Sequence, residues 1–276
     1  MTNDEKFAAF RLSAQNMRKD IIQMTYNVGG IGAHIGGALS LPEILSVLYL
    51  GILNVDPKNP TKEDRDRFIL SKGHGAMALY AVFKQIGLVS EEELFSYKKT
   101  GSWLSVHPTI NPAHGIEFSS GSLAQGLGLG IGTAWALKMK GNLSSRVFVV
   151  LGDGECNEGA IWESALAAPQ LRLDNITVVV DKNGLQCDDK TTEIISMEDM
   201  EAKWKSFGWD TKTVDGHDVA ALYEALKEKH DRPYAVIANT VKGKGVSFIE
   251  NVPKWHVGKL SKEQYEQAMA EQEENQ

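Results

Sequence analysis

Asp153 and Asn183 are the two residues whose type and setting most directly invite chemistry. Asp153 lies in Gly152-Asp153-Gly154-Glu155-Cys156-Asn157-Glu158-Gly159, and Asn183 in Val180-Asp181-Lys182-Asn183-Gly184-Leu185. Each segment follows an apolar run of strand type, residues 146–151 for the first and 175–180 for the second. Residues 159–173 have helical periodicity, so the spacing predicts strand, loop, helix, strand, loop. In an open parallel sheet, ligands bind at the carboxyl ends of the strands, where both loops would sit. Asp153 and Asn183 then present two hard oxygens, a pair suited to a magnesium or calcium ion holding a diphosphate. The glycines admit backbone N–H groups to phosphate oxygens, and the following helix turns its positive end toward them. Taken alone, Asp153 reads as a helix N-cap and Asn183-Gly184 as a turn. At two strand ends one crossover apart, they read together as a metal–diphosphate cradle.

The histidines form a second constellation. Four of the seven, His34, His74, His107 and His256, stand in glycine- or proline-rich loops at the ends of expected elements. Such loops would line a polar pocket, and imidazoles titrating near neutrality exchange protons with hydroxyl and carbonyl groups. His217 is expected in a turn opening the next helix, and His230 exposed at a charged helix end. His114 has no clear place. Cys156, beside the presumed phosphate loop, would have its pKa lowered by a helix terminus, but no catalytic partner stands near it in the sequence. Glu158 is expected in the first turn of a helix, facing solvent or a partner subunit. Trp135 and Trp162 are expected in the core or at an interface.

The elements that position these residues alternate between strand and helix. Residues 6–26 form an amphipathic helix, broken by the glycine-rich stretch 29–37. A second helix over 41–50 would start at Ser40 as N-cap, with Pro42 in its first turn. A short strand over 67–70 runs into Ser71-Lys72-Gly73-His74-Gly75 and a helix over 76–86. The stretch 100–115 is irregular, and a loop this long inside a compact domain is expected to be functional or disordered. The glycine-rich run 121–132 continues helically to 140, as if packed closely against something. After the central unit come a strand at 210–214, a helix at 219–229 and a buried strand at 234–240. This pattern predicts an α/β domain, a mostly parallel sheet flanked by helices. Residues 1–260 would form that domain, and 261–276 a polar, acidic C-terminal tail, either a solvated helix or a linker.

Composition narrows the partners. The chain has 276 residues, 42% hydrophobic and 24% charged, with net charge −7 and no basic stripe, so nucleic acid is not an expected partner. No apolar span is long enough for a membrane helix, and the polar start lacks a signal core. Two cysteines cannot build a disulfide framework, and a cytoplasmic location is the default expectation. No Walker-type Gly-Lys-Ser/Thr occurs, and the run 126–132 does not match the dinucleotide fingerprint.

Taken in order, these motifs resemble the transketolase family: Ser71–Gly75, Gly121-Ser122-Leu123-Ala124-Gln125-Gly126, Gly152–Gly159, Asp181–Leu185, Asp215-Gly216-His217-Asp218 and Lys242-Gly243-Lys244-Gly245. The resemblance spans residues 11–256 and implies the thiamine diphosphate-binding fold (PP domain). It implies that Asp153, Asn183 and the Leu185 carbonyl hold magnesium, calcium or manganese, and that Gly154 and His74 contact the diphosphate. Gly121, Ser122 and Leu123 would lie around the aminopyrimidine. His34, His107 and His256 would face the substrate's hydroxyls, Lys72 and Lys244 would flank the cofactor entrance, and Glu158 would join two active sites of a dimer.

Two departures bear on sugar specificity. Gly32-Ala33-His34-Ile35-Gly36 stands where the family usually has Ser-Gly-His-Pro-Gly, and Ser122 where many members have proline. Family members also normally continue into a pyrimidine-binding domain with a catalytic glutamate. The resemblance therefore implies the N-terminal subunit of a split transketolase. With a separate C-terminal subunit, in a heterotetramer, it would transfer a two-carbon ketol unit from a ketose or its phosphate to an aldose or its phosphate. A subunit like deoxyxylulose phosphate synthase and a non-catalytic regulatory homologue are the alternatives.

Overall fold

A computed structural model describes residues 2–274 of the chain. The helix α1 (Asn3–Val28) opens with a capping box, in which the Thr2 hydroxyl accepts from the Glu5 N–H and the Glu5 carboxylate accepts from the Thr2 N–H. The short helices α2 (Ile35–Leu39) and α3 (Pro42–Val47) follow, then β1 (Arg67–Leu70), α4 (Ala76–Gln85) and α5 (Glu91–Leu94). After the long irregular stretch come α6 (Gln125–Met139), β2 (Val147–Gly152), α7 (Gly159–Gln170) and β3 (Ile176–Lys182). The chain ends with α8 (Thr191–Ile194), α9 (Met200–Ser206), β4 (Asp210–Asp215), α10 (Val219–Leu226), β5 (Tyr234–Asn239) and α11 (Lys262–Glu274).

All five strands are parallel, in the order β1-β2-β3-β5-β4. Their side chains alternate between two apolar layers, as the period of two requires. Phe68, Leu70, Phe148, Val150, Val179, Val236 and Ala238 face α1–α4 and α10. Ile69, Val147, Val149, Leu151, Val178, Val180 and Ile237 face α6, α7 and α9. Both faces of the sheet are covered, so the central strands read as unbroken apolar runs. The chain therefore has the expected doubly covered α/β architecture. Every loop leaving a strand's carboxyl end emerges on one edge of the sheet.

The glycines of α6 explain how closely that helix sits. A methyl group at Gly130 would come within 2.6 Å of a Val149 side-chain carbon, and one at Gly126 within 2.4 Å of Ser71. Only hydrogen at those two positions lets the helix lie this close to β1 and β2.

Several local expectations are corrected. The glycine-rich stretch is only partly a break, because α2 forms within it. Ser40 does not cap α3, whose N-cap position is Leu41 with no side-chain bond. The Ser40 hydroxyl instead donates to Asp181, a long-range demand that outweighs a local one. The polar segment after Ser261 takes the helical one of its two expected forms, α11, but docked rather than solvated, with Ala268 and Gln272 buried and Tyr265 stacked on Tyr26 of α1 at 4.4 Å. His230 is only partly exposed, its ring stacked on Tyr234 at 3.6 Å. Trp135 lies half-exposed on the outer face of α6, which excludes the core and leaves an interface, the other of its two expected places.

Candidate active site

Four strand ends deliver the functional residues to one place. The loop after β1 carries Lys72 and His74, that after β2 carries Asp153 and Gly154, that after β3 carries Asn183 and Leu185, and that after β5 carries Thr240 and Lys242. The Asp153 carboxylate accepts the Gly184 N–H at 2.7 Å and the Gly154 N–H at 2.9 Å, tying the second and third loops together. The Asn183 side-chain oxygen accepts the Leu185 N–H at 3.1 Å. Burial, reinforced by the nearby Asp181 charge, pushes the Asp153 carboxyl up to about 6 against the pull of those two N–H groups. A buried carboxylate in that condition is short of positive charge.

Beneath the cradle lies a polar cluster centred on Asp181. Lys72, Ser40 and Thr240 donate to its carboxylate, as does the Asn183 amide at 3.3 Å. Burial would raise this carboxyl, but the Lys72 ammonium and the hydroxyl donors outweigh it and hold it below the usual range. Lys72 is fully buried in this pair rather than lying at an entrance. Because Asp181 accepts a hydrogen of the Asn183 amide, the cluster orients that side chain.

Glu155 ties the remaining loops together. Its carboxylate accepts the Ala124 N–H at 2.7 Å, the Gly152 N–H at 3.0 Å and the Ser71 hydroxyl. Ala124 adopts a left-handed backbone at φ 68° while making this bond. The neighbouring Cys156 is completely buried, and burial together with Glu155 and Asp153 pushes its thiol up. The expectation of a lowered thiol is thus reversed, because desolvation and two carboxylates outweigh any helix terminus.

The four loop histidines converge over the cradle. Ring centroids are 5.9 Å apart for His34 and His74, 5.5 Å for His34 and His107, 5.4 Å for His34 and His256, and 5.2 Å for His74 and His256. An antiparallel bridge between Ala33 and Gly258 joins the His34 and His256 loops. Gly121 supports the ring of His107, which a methyl group at that position would strike at 2.9 Å. Burial lowers all four imidazoles, with neighbouring positive charge adding to the effect at three of them, to about 4 for His34 and His256. At neutral pH these rings are uncharged, with one nitrogen able to donate and the other to accept. The buried Nδ1 of His34 has no hydrogen-bond partner, a position that a ligand hydroxyl would satisfy.

Not every expected residue joins this group. Lys244 lies on the far side of its loop, its ammonium 3.6 Å from Glu250 and its carbonyl accepting from Arg18. The lysine brought to the histidines is Lys242, whose ammonium donates to the Gln186 carbonyl at 2.6 Å and the Leu185 carbonyl at 3.3 Å, 3.1 Å from His256 Nδ1. Burial, with the nearby Lys72 charge, lowers its ammonium to about 8. Lys242 and Lys244 stand two residues apart on one turn and face different ways, and no sequence pattern says which faces inward. Ser122, Leu123 and Glu158 are exposed, Glu158 at the start of α7. His217 opens α10 as expected, but its ring also bridges the Glu43 carboxylate and the Val241 N–H.

The donor set at the cradle is one carboxylate, one amide oxygen and one backbone carbonyl. It contains no histidine or thiolate, which suits a hard divalent ion. Among the described residues no group of three His, Cys, Asp or Glu side chains gathers to bind a metal.

The family described as "Transketolase, thiamine diphosphate binding domain" matches residues 16–272. The chain is 39% identical to an apulose-4-phosphate transketolase subunit of Phocaeicola vulgatus, over 94% of this chain and 92% of that one. It is 39% identical to a 6-deoxy-6-sulfo-D-fructose transketolase subunit of Clostridium sp. (strain MSTE9), over 88% and 89%. The solved transketolase of Leishmania mexicana superposes with a TM-score of 0.88 at 25% identity, covering 96% of this chain but only 41% of that one. The chain belongs to the transketolase family, through its thiamine diphosphate binding domain.

Proposed function

We propose that this chain is the diphosphate-binding subunit of a two-chain transketolase. A separate subunit carries the pyrimidine-binding half, and together they move a two-carbon ketol unit from a ketose to an aldose. The observation that carries the reading is the convergence of four uncharged imidazoles on a cradle of hard oxygens. The fit to a divalent ion rests on Asp153, whose buried carboxylate forms no ion pair among the described residues and is raised by burial and the Asp181 charge beyond what the nearby Lys72 charge offsets; the unpaired His34 Nδ1 fits a sugar hydroxyl. Asp153, Asn183 and the Leu185 carbonyl hold magnesium, calcium or manganese, and Gly154 and His74 meet the diphosphate. Gly121, Ser122 and Leu123 border the aminopyrimidine. Thiamine diphosphate, when bound, supplies the nucleophilic carbon and electron sink for breaking the carbon–carbon bond.

The chain's own residues orient and move protons. His34, His107 and His256 hold the sugar hydroxyls, and an uncharged imidazole among them takes a hydroxyl proton as the bond breaks and returns it on ligation. Lys242 keeps positive charge beside the diphosphate.

The apolar outer face of α6 and α7 supports a second chain. Leu129, Trp135, Met139 and Leu166 are exposed there, on helices whose other sides are buried. Its occupant is the partner chain, since the Leishmania enzyme has more than half its length beyond the part this chain matches. The assembly holds two copies of each polypeptide, with Glu158 at the contact between active sites. The complex works in the cytoplasm; among the described residues no helix is long and apolar enough to cross a membrane.

The relatives are named for sugars ending in phosphate or sulfonate. This chain's complex takes sugars of that kind. The test is ketol transfer by the purified chain mixed with the product of its neighbouring gene. Activity of the mixture, with none from either chain alone, supports the reading. Full activity from this chain alone contradicts it.

A further inference from the structure

Lys98 is a half-buried cation at the rim of the histidine cluster that the ketol chemistry leaves unused. It follows α5 in a left-handed backbone conformation at φ 58°, its N–H donating to the Leu104 carbonyl at 2.9 Å. Its ammonium donates to the carbonyl of Gly32, two residues before His34, at 2.7 Å. That bond links the His34 loop to the loop bearing His107. Among the described residues no carboxylate forms an ion pair with it. Lys72 and Lys242, the other lysines whose charge reaches the histidines, are already committed to Asp181 and to two backbone carbonyls.

An ammonium has three donors, and this one spends a single donor on a neutral acceptor. The remaining positive charge is close enough to His34 to help depress its protonation. Half-burial strengthens any attraction relative to a free surface lysine. We propose that Lys98 is a specificity residue that receives the terminal oxyanion, phosphate or sulfonate, of the sugar whose hydroxyls the histidines hold. The assignment rests on reading the cluster as a sugar pocket. The competing explanation is mechanical: Lys98 only straps two loops together.

The two separate by experiment. In the reconstituted complex, KM is measured for glyceraldehyde 3-phosphate and for glyceraldehyde, acceptors matched except for the phosphate, and for 3-sulfolactaldehyde as the sulfonate arm. Lys98→Met should raise the KM ratio of the anionic acceptor to glyceraldehyde by about tenfold, and Lys98→Arg should restore most of it. A shift for only one anionic acceptor identifies which oxyanion is served. Equal losses for all three acceptors would mean a strap and overturn the assignment. A second measurement is independent of activity. In the reductively 13C-methylated chain, the Lys98 resonance, identified by its absence in Lys98→Arg, should move on titration with inorganic phosphate or methanesulfonate into the tens of millimolar. A resonance that does not move overturns the subsite even if ketol transfer proceeds, and one that moves in an inactive mixture upholds the subsite while removing the transketolase reading.

Discussion

The Asp153 carboxylate stands 2.7 Å from the Gly184 N–H, so that the loop after β2 is fastened to the loop after β3. Both loops start from strands paired in register, Gly152 opposite Asp181. The sheet thus places both halves of the cradle side by side. Its side chains, by contrast, are held from below, by the Asp181 cluster and by Glu155.

The Lys72–Asp181 pair is the most deeply buried charge in that support. Lys72→Met leaves the Asp181 carboxylate without its cation, and should lower unfolding free energy by about 3–5 kcal/mol. Adding Asp181→Asn removes the stranded charge and should recover part of the loss. Urea denaturation of the single and double variants measures both; a single variant as stable as the parent refutes the account of the cluster.

Glu155 accepts from three loops, two of its donors being backbone N–H groups. Glu155→Ala should cost roughly 3 kcal/mol, because each buried donor left without an acceptor costs about 1–3 kcal/mol and some find water. Hydrogen exchange should quicken at Ala124 and Gly152 in the variant. Unchanged protection at both amides would show that the carboxylate does not hold them.

Gly130 and Gly132 make a matched pair on one helix. A methyl group at Gly130 meets Val149 at 2.6 Å, while at Gly132 it meets nothing within 4 Å. Gly130→Ala should destabilise by about 1–3 kcal/mol despite better helix propensity, since overpacking outweighs it. Gly132→Ala should stabilise the isolated chain by about 0.5–1 kcal/mol. Thermal melts that rank the two variants the other way would refute the packing of α6.

His34 is lowered to about 4 chiefly by burial, from an ordinary value of 6.5. The unfolded chain therefore binds more protons between those values, so stability is lost as pH falls from 6.5 toward 4. His34→Gln should flatten that loss by about 1 kcal/mol, a figure discounted for a half-exposed ring. Denaturation at pH 7 and pH 5 checks it; a parallel fall in parent and variant would exclude the effect.

Cys156 is buried with its thiol pushed up, whereas Cys187 is exposed. Iodoacetamide on the native chain at neutral pH should label Cys187 and spare Cys156 until unfolding, as mass spectrometry would read. Prompt labelling of Cys156 would contradict its burial.

The sheet was legible in the sequence because its central strands, β2, β3 and β5, covered on both faces, are apolar runs ending in loops that carry glycine, whereas the edge strand β4 is polar and only partly buried. The four histidines were legible because their loops carry strong turn signals. What escaped was long-range. Nothing near Ser40 hints that it serves Asp181 rather than α3, and nothing near Glu155 names its donors at Ser71 and Ala124. The choice of Lys242 over Lys244 depends on a turn whose facing only the folded chain decides. The short helices α5, α8 and α9 were missed because 4 to 7 residues hold too few turns to show a period.

The central claim is that Asp153 and Asn183 anchor thiamine diphosphate through a divalent ion. Calorimetric titration of thiamine diphosphate into the two-chain complex, with and without magnesium, tests it most directly. The account predicts magnesium-dependent binding that Asp153→Asn weakens by about a hundredfold or more. Binding of equal strength in the parent and in Asp153→Asn would contradict it.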